Sequence, residues 1–144
     1  MKNKSLFNIL FHRKFDSRSD MYHFIGERVS HHSTLLTSEV VDTLLQREQA
    51  GNIQIAEHVL LPHFESSKLK ESQIVVVHLH EAISKWNQHV SDIKLVIFIL
   101  LKRDETLDTK KEITNFMRNL ADQDYIEKLL HADSEESFTQ MIIQ

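Results

Sequence analysis

The stretch REQAGNIQIAEHVLLPHF, residues 47–64, decides how the rest of the chain is organised. It begins as a polar helix end that reaches Gly51, and it continues into the apolar run VLL, which the only proline, Pro62, interrupts. Proline has a fixed φ and no N–H to donate to a sheet, so we expect a strand to end there. His63 follows at once and is expected at the mouth of a strand rather than buried along it. A histidine on such a short, stiff segment suits covalent or acid–base chemistry.

Length and composition place the chain among ordinary globular proteins. Its 144 residues suit one domain, spanning residues 1–144, with enough length to bury a core. The absence of cysteine excludes a disulfide scaffold, a cysteine-ligated zinc ion and a cysteine nucleophile. A net charge of −4 gives no electrostatic reason to expect a nucleic-acid partner. Because no apolar run approaches the about 20 residues of a membrane span, we expect no membrane insertion and a cytoplasmic location.

Hydrophobic periodicity predicts helices in both halves of the chain. Apolar residues recur near the helical period over residues 21–32 and again over residues 40–51, where glycine is a natural helix end. After Arg103 the same period returns in three segments. The run LFNILF, residues 6–11, fits either a first strand or the start of a helix.

Between these helices lie segments with the character of strands. Residues 53–61 predict short strands that could pair as a hairpin, and the β-branched run IVVVHL occupies residues 74–79. The run LVIFILL, residues 95–101, is the most apolar of the chain, and both long runs predict central strands covered on both faces. The sequence therefore predicts an α/β fold in one domain, with a mixed central β-sheet flanked by helices.

The central stretch resembles the IIA component of the bacterial phosphoenolpyruvate-dependent sugar phosphotransferase system. The residues that carry this resemblance are Arg47-Glu48, then Gly51, then an apolar strand that closes in Pro62-His63. The chain looks most like the fructose–mannitol class, which includes nitrogen-related regulatory paralogues. The resemblance extends over residues 5–143 and implies a fold similar to that of mannitol-specific IIA proteins.

The resemblance also implies a function for two residues. His63 would accept a phosphoryl group from the histidine-containing phosphocarrier protein and pass it to a IIB component, and Arg47 would contact the phosphate. The chain would then be a phosphotransferase component that works on a phosphohistidine, with no cofactor and no metal ion. The alternative is a regulatory or degenerate IIA-like module that acts by binding a partner rather than by a sugar-linked relay.

The chain departs from the family's pattern at several positions. Glycines of the family's motif are replaced by Gln54, Ala56 and His58, and its Ser-Thr pair is Asn52-Ile53. Phe64 stands where a small residue often follows the histidine. Some members carry a second active-site histidine on the helix after the last central strand. The nearest positions of this chain are Glu112 and Ile113.

Phosphoryl transfer explains why these residue types are useful. A neutral imidazole nitrogen is a nucleophile near pH 7, and the planar guanidinium of Arg47 matches phosphate oxygens. We expect Glu48 either to face outward or to take part in a helix pair, without a catalytic role. An apolar rim formed by Leu60, Leu61 and Phe64 is expected to exclude water and to receive protein partners.

Ten histidines invite a second interpretation, a metal site. His78 and His80 are two residues apart on a predicted strand and so share a face, with Glu81 next. The sequence specifies no third ligand, so we expect these histidines to be structural. Trp86 is expected to pack in the core.

Overall fold

The computed structural model describes residues 6–143, in which one strand and two helices precede five further strands, and three helices follow. The strands are β1 (Phe7–Arg13), β2 (Gln54–Ala56), β3 (Val59–Leu60), β4 (His63–Ser66), β5 (Gln73–Lys85) and β6 (Ser91–Lys102). The helices are α1 (Arg18–His31), α2 (Thr37–Ala50), α3 (Leu107–Asn119), α4 (Gln123–Leu130) and α5 (Glu135–Ile143).

The described strands form one mixed sheet around the hairpin of β5 and β6. These two strands are antiparallel, with Val77 opposite Val96. Strand β1 runs parallel to β5 on one side, whereas β3 and β4 follow one another along the other side of β6, both parallel to it. Strand β2 pairs antiparallel with β3 at the edge. The sheet is therefore mixed, as predicted.

Each face of the sheet has its own apolar core. Helices α1 and α2 cover one face, where Tyr22 and Leu44 pack with Phe98. Helices α3, α4 and α5 cover the other face, where Phe138 packs in the cluster that contains Ile97. Because both faces are covered, the central strands need apolar side chains on each side, which explains their nearly continuous apolar sequences.

The predicted elements are present, and two choices left open by the sequence are resolved. Residues 6–11 lie mainly in strand β1 rather than in a helix, and residues 53–61 do contain a hairpin, formed by β2 and β3. Strand β5 is longer than predicted because it continues to Lys85 through an irregularity between His78 and Ile83. None of the helices in the described chain has the length and apolar character that crossing a membrane requires.

The strand segments that run along β6 are interrupted at Pro62, as the chemistry of proline predicts. The sequence did not predict that a new strand follows the interruption. β3 ends at Leu60 and β4 begins at His63. The carbonyl of Pro62 still accepts the N–H of Ile99 at 2.9 Å, so the interruption stays attached to β6. Strand β4 is short and buries only Phe64 fully, which is too weak a pattern to identify from sequence.

Candidate functional site

His63 lies where the broken edge strand resumes. It is the first residue of β4, pairs with Ile99 of β6 and is half-buried. Burial lowers the pKa of His63, and the positive charge of Arg47 lowers this pKa further. The imidazole is therefore held in its neutral form, which is the nucleophilic one, to lower pH than an ordinary histidine.

Arg47 reaches the same place from the last turn of α2. Arg47 is exposed, and helix α2, which carries it, packs against β4, the strand that begins with His63. The positive charge of Arg47 is close enough to lower the pKa of His63. A Cβ atom added to Gly51 would lie 3.2 Å from Nη1 of Arg47, which places the guanidinium over this glycine. The φ of Gly51, −172°, is ordinary extended backbone. The lack of a side chain at Gly51 therefore leaves space for the Arg47 guanidinium, and no unusual backbone conformation requires a glycine there.

Of the two orientations expected for Glu48, the outward one is wrong. Its side chain is only 7% exposed, and four side chains donate hydrogen bonds to its carboxylate. The donors are Arg18 Nη1 at 2.8 Å, Tyr22 Oη at 2.6 Å, Asn87 Nδ2 at 2.6 Å and Trp86 Nε1 at 3.3 Å. We call these five residues the Glu48 cluster.

The cluster keeps the Glu48 carboxylate charged despite its burial. Burial alone would raise the pKa of Glu48, but the hydrogen bonds from Tyr22, Asn87 and Arg18 and the charge of Arg18 more than offset this effect and leave the pKa below its usual range. Burial and the neighbouring Glu48 carboxylate raise the pKa of Tyr22, so this phenol stays a donor. Trp86 is buried as predicted, and its indole N–H gives it a polar role as well.

The sequence contains one signal for this cluster. Glu48 lies near the carboxyl end of α2, where the helix dipole disfavours a negative charge. An acidic residue at such a position indicates a partner elsewhere in the fold. Its partners lie 26 to 39 residues away along the chain, so the sequence alone does not identify them.

The predicted apolar rim of Leu60, Leu61 and Phe64 does not exist as an exposed surface, because all three residues are buried. Strand alternation places Leu60 and Phe64 in the core under α1 and α2, and Leu61 in the opposite core. The exposed apolar surface nearby is a cleft of about 290 Å³ between the β2 region and α3. Its lining residues are Ile55, Leu61, Met117, Leu120 and Ala121.

The positions considered for a second active-site histidine do not supply one. Ile113 is buried in the core under α3, α4 and α5. Glu112 has its Oε2 atom buried without a hydrogen-bond partner in the described chain. Only His63 therefore offers an imidazole at this site among the positions that the family's pattern marks.

His58 replaces a family glycine and keeps a glycine-like backbone, with a φ of 72°. Its Nδ1 atom lies 2.7 Å from the carbonyl oxygen of Asp92, and its own carbonyl accepts the N–H groups of residues 94 and 95. His63 lies beside Ile99, about four residues or roughly 14 Å further along β6. His58 is thus a turn residue and not a polar neighbour of His63.

The two histidines that suggested a metal site have different surroundings. His78 is buried, with Nε2 3.3 Å from the carbonyl oxygen of Leu130, and its ring packs against Phe11 and Phe138. His80 is exposed. Over residues 6–143 no group of three or more histidine, aspartate or glutamate side chains is placed to hold a metal ion.

The fold and the Arg47–His63 arrangement agree with a match to a known family. The family model described as "Phosphoenolpyruvate-dependent sugar phosphotransferase system, EIIA 2" matches residues 5–144. The chain belongs to this EIIA 2 family. No curated protein matches the sequence.

Solved structures show the same fold at low sequence identity. The nitrogen regulatory protein IIA-Ntr of Neisseria meningitidis matches with a TM-score of 0.76 and 16% identity over 95% of this chain and 96% of that one. Mannitol IIA of Escherichia coli matches with a TM-score of 0.65 and 22% identity over 94% and 95%. The complex of E. coli IIAMtl with phosphorylated IIBMtl matches with a TM-score of 0.65 and 21% identity over 95% and 98%. The predicted EIIA fold is thereby confirmed.

Proposed function

We propose that this EIIA 2 protein is a phosphoryl carrier in which His63 takes and releases the phosphoryl group. The observation that carries the proposal is that α2, which bears Arg47, packs against β4, which begins with His63, in a chain that belongs to the EIIA 2 family. The lowered pKa of His63 supports it, because the attacking nitrogen must be unprotonated.

The reaction needs little from the protein beyond positioning and charge. As the phosphorus–nitrogen bond of the donor breaks, a new bond forms to a ring nitrogen of His63, and the proton on the other ring nitrogen stays in place. Arg47 offers a fixed fork of N–H donors to the phosphate oxygens and offsets their charge. The half-burial of His63 limits the access of water to the product.

The partners follow from the family. We propose that a histidine-containing phosphocarrier protein loads His63 in the cytoplasm and that a IIB component unloads it. A IIA–IIB complex is known for the mannitol proteins of E. coli, and the IIA protein of that pair shares this fold. Ile55, which is 40% exposed, and the apolar cleft beside it offer area that a protein partner can bury close to the segment before His63.

Incubation with phosphoenolpyruvate, enzyme I and the phosphocarrier protein, followed by intact mass measurement, tests the loading step. The wild-type chain should gain one phosphoryl group, and His63→Ala should gain none. The matched control is His58→Asn, which changes another histidine of the same region and keeps a residue that tolerates positive φ. Phosphate on the His63→Ala variant, or none on the wild type, contradicts the proposal.

A second candidate is a regulatory module that binds a partner according to its phosphorylation state. The replaced motif glycines favour it. A chase experiment separates the two: loaded protein mixed with a IIB component loses its phosphoryl group if it is a relay, and keeps it if it is a regulator.

A further inference from the structure

The side chains of Arg47 and Glu48 are neighbours in sequence, yet they have opposite surroundings. Glu48 is buried and accepts four hydrogen bonds, whereas Arg47 is exposed and has no carboxylate within 4.0 Å anywhere in residues 6–143. The Glu48 carboxylate therefore fixes the carboxyl end of α2, and the Arg47 guanidinium remains available to bind a phosphate.

The donors to Glu48 come from two elements besides its own. Arg18 and Tyr22 belong to α1, and Trp86 and Asn87 lie just after β5. The turn itself is ordered, because the Asn87 side-chain oxygen also accepts the N–H groups of residues 89 and 90. The cluster thus fixes the last turn of α2 to both α1 and the sheet.

Charge is divided between two arginines in the same region. Arg18 forms the ion pair with Glu48, at 2.8 Å. Because this carboxylate is already satisfied, it does not draw Arg47 away from His63. Gly51 leaves the space that the Arg47 guanidinium crosses.

We propose that Glu48 is the positioning residue for Arg47. Its buried cluster fixes the end of α2, which packs against β4, and so holds the guanidinium that extends over Gly51 in readiness for phosphate on His63. This inference rests on the proposed function for its catalytic meaning. Its physical content, the placement of Arg47 relative to His63, is measurable without any phosphoryl donor.

The pKa of His63, measured by NMR titration of the imidazole, reports on this placement. Arg47→Gln removes the positive charge and is expected to raise the pKa. In Glu48→Gln, an amide NH2 replaces one of the two carboxylate oxygens. It then faces either Arg18 and Asn87 or Tyr22 and Trp86, so in both orientations at least one donor loses its acceptor, and Arg18 loses its counter-ion. If Arg47 is released, the pKa of His63 rises in the direction seen for Arg47→Gln, by a smaller amount.

The opposite sign is expected if Glu48 acts only through its own charge. Removal of a negative charge disfavours the imidazolium form and lowers the pKa of His63. A lowered or unchanged pKa in folded Glu48→Gln therefore overturns the proposal. Asp42→Asn is the matched control, since it removes one acidic charge from an exposed position of the same helix and should leave Arg47 in place.

A second variant keeps the test decisive if Glu48→Gln does not fold. Asn87→Ala removes one donor to Glu48 and changes no charge, so any rise in the pKa of His63 must come through geometry. An unchanged pKa in this variant, with Glu48→Gln unfolded, also overturns the proposal.

Kinetics give an independent readout once wild-type loading is established. Glu48→Gln should lower kcat for phosphoryl acceptance between about 10- and 100-fold with little change in the KM for the donor protein, because a displaced guanidinium affects the transferring group rather than docking. If the wild type accepts no phosphate, the proposed function fails, while the titration still decides whether Glu48 positions Arg47.

Discussion

The two faces of the sheet solve different problems. The face under α1 and α2 contains the Glu48 cluster, in which a buried charge is fully paired. The face under α3, α4 and α5 is mainly apolar, and two of its buried polar atoms, His78 Nδ1 and Glu112 Oε2, have no partner in the described chain. Apolar contacts supply stability without direction, whereas a satisfied polar cluster fixes one geometry. Arg47 belongs to α2, on the face that contains the polar Glu48 cluster.

The largest expected loss of stability comes from the apolar face. Phe138 is fully buried against Phe11 and His78, so Phe138→Ala should lower the free energy of unfolding by about 3–5 kcal/mol. Urea unfolding measures this loss. The comparison further requires that the folded variant keeps the wild-type pKa of His63, and a shifted pKa would show that both faces set the site.

Glu48→Ala is expected to lower stability less than Phe138→Ala does, and to lower the rate of phosphoryl acceptance more. It leaves three buried or half-buried neutral donors without an acceptor, and Arg18 without its counter-ion, so we expect a loss of about 2–3 kcal/mol. The rate of phosphoryl acceptance per folded molecule should fall below that of Phe138→Ala. The division between the faces is wrong if the two variants lose activity in the same order as stability.

The pH dependence of the free energy of unfolding should report on the half-buried imidazole of His63 and the buried imidazole of His78. Burial lowers the pKa of His63 and of His78 below the ordinary 6.5, so the unfolded chain binds more protons than the folded one as the pH falls below 6.5. Their contribution to stability is present above this pH and is lost as the pH falls through their folded-state pKa values. His78→Leu should flatten the slope of unfolding free energy between pH 7 and pH 5, by at most about 1.4 kcal/mol per pH unit. An unchanged slope would mean that His78 titrates alike in both states.

The smallest effect on stability is expected at Gly51. Its backbone is ordinary, so Gly51→Ala should change the melting temperature little while the new Cβ, 3.2 Å from Arg47 Nη1, displaces the guanidinium and raises the pKa of His63. Gly26→Ala is the matched control with the opposite pattern. Its Cβ would lie 3.0 Å from the backbone oxygen of Thr37, so it should destabilise the α1–α2 contact and leave the pKa of His63 unchanged. Equal shifts of this pKa in both variants would contradict the role given to Gly51.

Much of the fold was predictable because its signals are local. The runs at residues 74–79 and 95–101 are apolar except for His78, and their burial on both faces requires such a pattern. The place of His63 was predictable from the chemistry of Pro62 alone. Strand β4 was not, since its four residues carry too few side chains to show a period.

The site was less predictable than the fold because its contacts are distant in sequence. The residues next to Glu48 in sequence do not predict that Tyr22 and Asn87 will donate to its carboxylate. Acidic residues on helices are usually exposed, so an outward orientation was one of the two expected. The expected rim failed for a related reason. Leu60 and Phe64 are apolar enough to serve as docking residues, but they are buried in the core instead.

The interruption at Pro62 has a consequence for how the molecule is recognised. Strands β3 and β4 keep the same alignment with β6 on both sides of the break, from Val59 opposite Leu95 to His63 opposite Ile99. A phosphoryl group bound to His63 at this junction is expected to add negative charge and to leave the pairing of β3 and β4 with β6 intact. In the proposed relay, we therefore expect the loaded and empty proteins to share one backbone shape, and a partner to distinguish them by their electrostatic potential.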